Sequence, residues 1–437
     1  MILIMNSFMI QQPNHAFEWN GSLPAFVKVH QHFSQPSVVN ISEEVRLAVA
    51  GLGNLTPQLK GKRVAVTAGS RGISQIALIL SSLVACLREM GAQPFIVPAM
   101  GSHGGATAEG QVSLLAELGI TEDSLGAPIL SSMETVELGR LDNGVPVYMD
   151  RYAASADAIV VVNRVKPHTD FTGDFESGLA KMAAIGLGKL DGAHTYHRYG
   201  VHGLRDIVPA AARLVCQKAP VLFGLATVEN ASHQIASIAA IPPEGIAGPQ
   251  EHELLKKAYE LMPRLPFQEI DVLIVDELGK NISGVGMDPK VIGRVKVHEV
   301  PNMTSTSIRT IAILRLTPES HGNATGVGLA DVTTQGLVQQ IDFETTYLNI
   351  ITSGITGIQR AAIPLVAPTE RAAIETALRV CGRPDVENAR VVRIKNTLSL
   401  SEMDVSIGLL PDVKTNSELS SEGELHSLTF DPQDNLI

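Results

Sequence analysis

Short runs of β-branched and aliphatic residues alternate with amphipathic stretches along the chain, and this alternation restricts the folds that it can adopt. The apolar runs predict strands at residues 63–67, 94–98, 158–163, 221–227, 272–276, 311–316, 363–366 and 391–394. Residues 74–90 and 209–218 have the periodicity of helices. Strands separated by helices are typical of βαβ units, so the sequence predicts an α/β fold with mainly parallel sheets.

The length of 437 residues predicts two or three domains, because one domain usually takes about 150 residues. A helix-breaking segment at residues 263–266 (Pro-Arg-Leu-Pro) precedes the strand expected near residue 270. We therefore expect one α/β lobe over residues 1–265 and a second over 266–414, with the active-site cleft between them. Residues 415–437 are polar and acidic and are expected to form a partly mobile tail.

Charge, cysteine content and hydrophobicity limit the kinds of partner and the cellular compartment that we expect for this chain. The formal net charge of -11 at pH 7 argues against a general nucleic-acid or membrane-surface binder. The three cysteines lie far apart and form no Cys-x-x-Cys pair, as in proteins of a reducing compartment. Residues 1–9 have no Lys or Arg and match a signal peptide poorly, and no apolar run reaches about 18 residues. We expect a cytoplasmic protein.

The loop after the first of these strands has the composition of an anion-binding site. Residues 67–73, Thr-Ala-Gly-Ser-Arg-Gly-Ile, lie between a strand and a helix, where ligands of parallel sheets bind. Gly69, Ser70 and Gly72 allow backbone N–H groups to approach an anion, and Arg71 offers a bidentate donor. The alternative is a tight turn with a solvated arginine.

Two further loops place polar side chains among small residues. His103 lies in Gly-Ser-His-Gly-Gly after the strand at 94–98, which favours exposure to a cleft over packing in the core. In the second lobe, Lys280 follows the strand at 272–276 and His321 follows the strand at 311–316. Ordinary turn chemistry explains the second-lobe loops equally well.

The densest group of titratable residues follows the strand at 158–163. His168, Lys181 and Lys189 come first, and His194 and His197 follow with the i, i+3 spacing that brings two side chains to one face of a helix. Histidine is a proton shuttle or metal ligand near neutral pH, and a lysine can serve as a covalent anchor. The alternative is a solvated helix end with incidental basic residues.

Three segments together resemble a known family. They are Gly-Ser-Arg-Gly-Ile at 69–73, Gly-Lys-Asn-Ile-Ser-Gly at 279–284 and His-Gly-Asn-Ala-Thr-Gly at 321–326. With the loops around them, they resemble a divergent branch of the lactate racemase-like family, the nickel-pincer-dependent 2-hydroxy-acid racemases and epimerases. The resemblance extends from about residue 62 to about residue 412.

The resemblance implies two cofactor components, nickel and a pyridinium bisthiocarboxylate mononucleotide, which together form the nickel-pincer nucleotide. Lys181 matches the lysine to which this nucleotide is joined, and His197 matches the histidine that completes the coordination of nickel. The sequence around Lys181 departs from the family pattern, so Lys189 stays open as the anchor. His194 stays open as the nickel ligand in the same way.

The resemblance also implies the roles of the remaining site residues. His103 and His168 match a pair of catalytic bases. Arg71 matches an arginine close to the substrate and the cofactor phosphate, and Lys280 matches a second-lobe lysine that steadies the substrate carboxylate. The rest of the first loop is expected to contact the cofactor through Gly69, Ser70 and Gly72.

The implied reaction is racemisation or epimerisation of a small 2-hydroxy acid by reversible hydride transfer, with the proteins that synthesise the cofactor as partners. Two alternatives stay open at this point. One is a zinc- or iron-dependent hydrolase or lyase that uses His194 and His197. The other is a non-catalytic protein that binds an anion or the cofactor. The sequence does not decide the oligomeric state.

Overall fold

A computed structural model describes residues 14–70, 72–298, 300–303 and 306–437. The chain divides into two units. The first unit is Phe33–Pro263, and the second combines the described residues up to His32 with Arg264–Ile437. No helix among the described residues is long and apolar enough to cross a lipid bilayer.

Fifteen strands lie in the part of the chain that the structure describes. They are β1 (Phe26–Gln31), β2 (Arg63–Ala68), β3 (Gln93–Pro98), β4 (Thr135–Arg140), β5 (Pro146–Asp150), β6 (Ala158–Arg164), β7 (Val221–Glu229), β8 (Ile235–Ile241), β9 (Glu269–Leu278), β10 (Ser307–Leu316), β11 (Val332–Thr334), β12 (Leu365–Ala367), β13 (Val391–Ile394), β14 (Glu402–Ser406) and β15 (Leu419–His426).

The α-helices of the described residues are α1 (Ile41–Ala50), α2 (Thr56–Leu59), α3 (Ile76–Glu89), α4 (Ala108–Glu117), α5 (Glu122–Leu125), α6 (Arg151–Ala154), α7 (Leu179–Lys181), α8 (Lys189–His197), α9 (Gly200–His202), α10 (Val208–Lys218), α11 (Pro249–Leu261), α12 (Pro289–Ile292), α13 (Gln335–Gln339), α14 (Phe343–Ser353), α15 (Ile355–Ile358), α16 (Glu370–Val380) and α17 (Leu410–Thr415). Two π-helical turns, Met182–Gly186 and Gly203–Ile207, continue α7 and α9. Short 3-10 turns are found at Asn14–Phe17, Gly104–Ala106, Pro243–Gly245, Pro318–Ser320, Val327–Leu329, Gln359–Ala361, Val386–Asn388 and Ile407–Leu409.

The first unit is built on a five-stranded sheet in the order β3-β2-β6-β7-β8. Its strands are parallel except for β8, which pairs antiparallel with β7. Both faces are covered: Val64 and Val66 of β2 pack in the core that contains α3, whereas Ala65 packs in the core that contains α7, α8 and α10. Burial on both faces explains why the strand reads as one continuous apolar run.

The second unit is built on an eight-stranded sheet in the order β12-β11-β10-β9-β13-β14-β1-β15. The strands from β12 to β13 are parallel, and β14, β1 and β15 are antiparallel to their neighbours. Helix α16 packs on this sheet, where Ile374 and Ala377 share a core with Val272 and Ile274. The two units therefore confirm the α/β fold with mainly parallel sheets.

The two ends of the chain differ from the organisation expected from the sequence. Strand β1 lies within the expected N-terminal lobe, yet it pairs with β14 and β15 in the sheet of the second unit. Residues 415–437 do not form a separate tail, because β15 pairs with β1 and Leu436 is buried. Strand β15 escaped the sequence analysis because it is a terminal strand with mostly exposed side chains, which gives it no apolar pattern.

Replacement of Leu436 by Ala tests whether the C-terminal segment is part of the fold. The Leu436 side chain is 3% exposed and its N–H donates to Glu370 Oε2 at 2.7 Å. We expect Leu436→Ala to lower the free energy of unfolding by about 2–4 kcal/mol in a urea titration, because burial and packing are lost. The adjacent Ile437 is 70% exposed, so Ile437→Ala serves as the control with a change below about 0.5 kcal/mol. Equal stability of both variants would show that the segment does not pack in solution.

Candidate active site

The loops that follow β2 and β3 meet at the carboxyl edge of the first unit's sheet. Ser70 Oγ and His103 Nδ1 are 2.5 Å apart, so a hydrogen bond joins the two loops. Both loops also pack on the helical segment after Lys181. A Cβ on Gly69 would lie 3.0 Å from Met182 Cε, and one on Gly101 would lie 3.2 Å from Ile185 Cγ2. The glycines therefore allow the loops to approach this helix closely.

Arg71 and Gly72 complete the first loop. Arg71 lies outside the described residues, so its expected contacts with the cofactor and the substrate stay a prediction. Gly72 has open space at the position where a side chain would begin.

His168, on the loop after β6, is joined to Lys181. Its Nε2 lies 2.8 Å from Lys181 Nζ, and the N–H of Asp170 donates to its Nδ1 at 3.1 Å. This contact places the Lys181 amine directly beside the His168 imidazole.

The orientation of His168 is fixed by a buried carboxylate. Glu176 accepts the backbone N–H of His168 at 2.5 Å, that of Gly173 at 3.1 Å and the hydroxyl of Tyr259 at 2.8 Å. The imidazole also stacks on Phe171, with ring centroids 4.6 Å apart. Sequence reasoning missed Glu176 because it acts through backbone groups and through Tyr259, which lies 83 positions away.

A second buried carboxylate holds the start of the helix that carries Lys181. Glu251 accepts the N–H of Ala180 at 3.0 Å and that of Ala247 at 2.8 Å. Burial raises the pKa of Glu251, and these backbone donors act in the opposite direction. Gly178 is required here, since a Cβ would lie 2.2 Å from Glu251 Oε1. Nothing in the local sequence distinguishes Glu251 from an ordinary acidic residue in the first turn of a helix.

Removal of this carboxylate is expected to destabilise the first unit. Glu251→Ala leaves the buried N–H groups of Ala180 and Ala247 without an acceptor, which costs about 2–4 kcal/mol of unfolding free energy. Glu253→Ala, on the same helix, removes an exposed carboxylate paired with Lys256 and is expected to cost less than about 1 kcal/mol. Chemical denaturation of both variants provides the measurement. A loss for Glu251→Ala no larger than that for Glu253→Ala would contradict this role.

Lys189 has a different environment from Lys181. Its side chain is fully buried, and its Nζ lies 3.2 Å from Asp150 Oδ2. It also donates to Gln111 Oε1 at 2.9 Å and to the carbonyl of Pro98. This ion pair and these two hydrogen bonds hold the buried Lys189 ammonium in place, which favours Lys181 over Lys189 as the lysine that reacts with a cofactor.

His197, the last residue of α8, has one ring nitrogen bonded to the backbone of its own helix. Its Nδ1 bonds to the carbonyl of Ala193 at 2.7 Å, so Nδ1 carries the proton and Nε2 presents a lone pair. Desolvation lowers the pKa of His197, whereas the hydrogen bond to the carbonyl of Ala193 acts in the opposite direction. His194 and His197 are both exposed. Within the described residues, no three His, Cys, Asp or Glu side chains form a metal-binding group.

Lys280 belongs to a polar cluster in the second unit. Its Nζ donates to the carbonyl of Gly284 at 2.6 Å and to Asn349 Oδ1 at 2.8 Å. Thr325 and Asn323 donate to the same amide oxygen, at 2.8 Å and 3.4 Å. The two motifs at 279–284 and 321–326 therefore meet at α14, which the sequence analysis did not connect with them. His321 is exposed and has a left-handed backbone, with φ of 47°.

A large cavity of about 800 Å³ lies elsewhere in the first unit, between α10 and the start of α11. Arg213, Cys216 and His252 are among its lining residues. The histidines and the lysine described above do not line it, so cavity size does not mark the candidate site here.

Part of the chain is similar in sequence to a known protein domain. Residues 57–205 match the lactate racemase N-terminal domain, and this range contains His103, His168, Lys181 and His197. This part of the chain is therefore similar to the N-terminal domain of lactate racemases. No curated protein sequence matches the chain.

Two solved structures are similar in fold. The lactate racemase apoprotein from Thermoanaerobacterium thermosaccharolyticum is 15% identical, with a TM-score of 0.51 over 86% of this chain and 99% of that chain. A protein from Thermotoga maritima is 16% identical, with a TM-score of 0.47 over 76% of this chain and 83% of that chain. The first likeness shows that the chain has the fold of a lactate racemase over most of its length.

Proposed function

We propose that the protein is a racemase or epimerase of a small 2-hydroxy acid that uses a lysine-linked nickel-pincer nucleotide. The observation that carries this proposal is that His103 and the bonded pair of His168 and Lys181 follow strands at the same edge of one sheet, in the unit that contains the helix of His197. All four lie within the range that matches the lactate racemase N-terminal domain.

The residues present fit such a cofactor. Lys181 Nζ lies 2.8 Å from His168 Nε2, so a candidate base lies beside the amine that would form the covalent bond. His197 presents a lone pair on Nε2, held in place by the bond from Nδ1 to Ala193. No third protein ligand accompanies His194 and His197 among the described residues.

The chemistry that the nickel-pincer nucleotide supplies when bound is the reversible acceptance of a hydride. The protein's own part is to move protons and to hold the substrate. His103 and His168 come from different loops and are held by different partners, Ser70 and Lys181. Inversion of a stereocentre requires a base for each stereoisomer, and histidine takes and returns a proton near neutral pH. Two separately held histidines meet this requirement.

The substrate carboxylate requires a cation, and the proposal assigns this role to Arg71 and Lys280. Asn349 and Gly284 hold the Lys280 ammonium in one orientation, which limits the entropy lost when a carboxylate binds. Gly69, Ser70 and Gly72 complete the loop that would receive the cofactor phosphate. The proposal further implies the cofactor-synthesis proteins as partners and the cytoplasm as the compartment.

Co-expression with the proteins that synthesise the nucleotide tests the proposal. We expect the intact mass to increase by that of the cofactor, with about one nickel per chain, and the purified protein to invert at least one 2-hydroxy acid by chiral chromatography. A family member that is known to be loaded serves as the control preparation. If that control gains mass and nickel whereas this chain gains neither, the proposed function is wrong.

A further inference from the structure

Three polar side chains form a fully buried network behind the candidate site. Asp150, Gln111 and Lys189 each have 0% of their surface exposed. They come from distant parts of the first unit, at the end of β5, within α4 and at the start of α8. Lys189 lies at the centre, 3.2 Å from Asp150 Oδ2 and 2.9 Å from Gln111 Oε1.

The network ends on the loop that carries His103. Lys189 donates to the carbonyl of Pro98, the last residue of β3. Gln111 donates from its Nε2 to the carbonyl of Gly101 at 2.9 Å and to that of His103 at 3.3 Å. The loop is thus bonded at its start and again at the histidine, in each case through its backbone.

Lys189 is a costly residue to place at this position. It has a left-handed backbone, with φ of 50°, which L-residues with a side chain rarely adopt. Its ammonium is removed from water, and an apolar side chain of similar volume often stabilises such a site better than an ion pair. Strain and buried charge of this kind persist where the surroundings over-determine them, commonly beside functional sites.

The position of Lys189 in helix α8 shows which two elements its side chain connects. The helix begins at Lys189 and carries His197 in its last turn. Contacts made by the Lys189 side chain therefore connect the His103 loop to the helix of the metal-ligand candidate. Gly101 adds a direct link, because its N–H donates at 3.3 Å to the carbonyl of Gly186, which lies three residues before the start of α8.

We propose that Gln111 and Lys189, with Asp150 as the counter-ion, are positioning residues that fix the His103 loop relative to α8. Lys189 is then a structural link to a catalytic base and not the anchor of the cofactor. The role of His103 rests on the function proposed above, whereas the attachment of the loop does not.

Gln111→Glu is the sharpest test. The carboxylate still accepts from Lys189, but it cannot donate to the carbonyls of Gly101 and His103. We expect amide hydrogen exchange of the apoprotein to accelerate about 10-fold or more in peptides covering residues 99–107, with no change in peptides of β7. In the loaded enzyme we expect kcat to fall about 10- to 100-fold at unchanged KM, cofactor mass and nickel content, because the base is displaced.

Gln217→Glu makes the same chemical change at an exposed position of α10 and is expected to match the wild type in every measurement. Gln111→Met, which removes the donor without adding charge, replaces Gln111→Glu if the latter does not fold. The inference is overturned if the Gln111 variant exchanges its amide hydrogens in residues 99–107 at the wild-type rate. It is also overturned if the cofactor mass is located on Lys189. A wild-type enzyme that takes up no cofactor defeats the proposed function, and the exchange experiment still decides the positioning role.

Discussion

A Lys181→Ala variant, co-expressed with the cofactor-synthesis proteins, is expected to emerge with no added mass, no bound nickel and no isomerase activity above background. The reason is that Lys181 is the lysine whose Nζ faces the candidate site, 2.8 Å from His168 Nε2. An alanine supplies no amine, so the covalent bond cannot form. In the proposed function the cofactor supplies the hydride chemistry, so its loss is expected to remove the reaction entirely instead of slowing it.

Intact-protein mass spectrometry and metal analysis provide the measurement, and peptide mapping locates the modified residue. Trypsin does not cleave at a modified lysine, so the wild-type protein is expected to show an uncleaved Lys181 that carries the added mass. Lys218→Ala, at the exposed end of α10, is the matched control and is expected to load normally. A cofactor mass that persists in Lys181→Ala would show that another lysine is the anchor.

The central strands were predictable from the sequence because burial on both faces leaves a continuous apolar run. The prediction of residues 391–394 coincides with Val391–Ile394, and the prediction of 158–163 falls one residue short of Ala158–Arg164. Strands at the margin of a sheet carry no such pattern. The burial of β4 and β5 is mixed, and β15 has mostly exposed side chains, so all three escaped prediction.

The candidate site also contains some residues that were predictable from the sequence and others that were not. His103, His168 and Lys181 could be proposed from the sequence because strand-end loops rich in small residues are where α/β proteins bind ligands. Glu176 and Glu251 could not, because their role depends on backbone groups that only the folded chain brings to them. A buried carboxylate and an exposed one are the same letter in a sequence, and long-range contacts alone distinguish them.

The two histidines lead to the last prediction. His103→Gln and His168→Gln are each expected to lower kcat about 10²- to 10⁴-fold, because a glutamine cannot take up a proton. Two enantiomers have equal free energy, so kcat/KM must fall by the same factor in both directions of a racemisation. Steady-state rates therefore cannot show which stereoisomer each histidine serves.

Rapid-quench experiments can separate the two roles. Each variant retains one base, so each is expected to form the 2-keto acid in a single turnover from one stereoisomer only, and the two variants are expected to prefer opposite stereoisomers. His202→Gln replaces an exposed histidine bonded to Asp206 and serves as the control, with wild-type rates. Cofactor mass and nickel content must equal those of the wild type for the comparison to hold. If both variants lose the same stereoisomer, the two histidines act on one face of the substrate, and the base for the opposite face is a different residue.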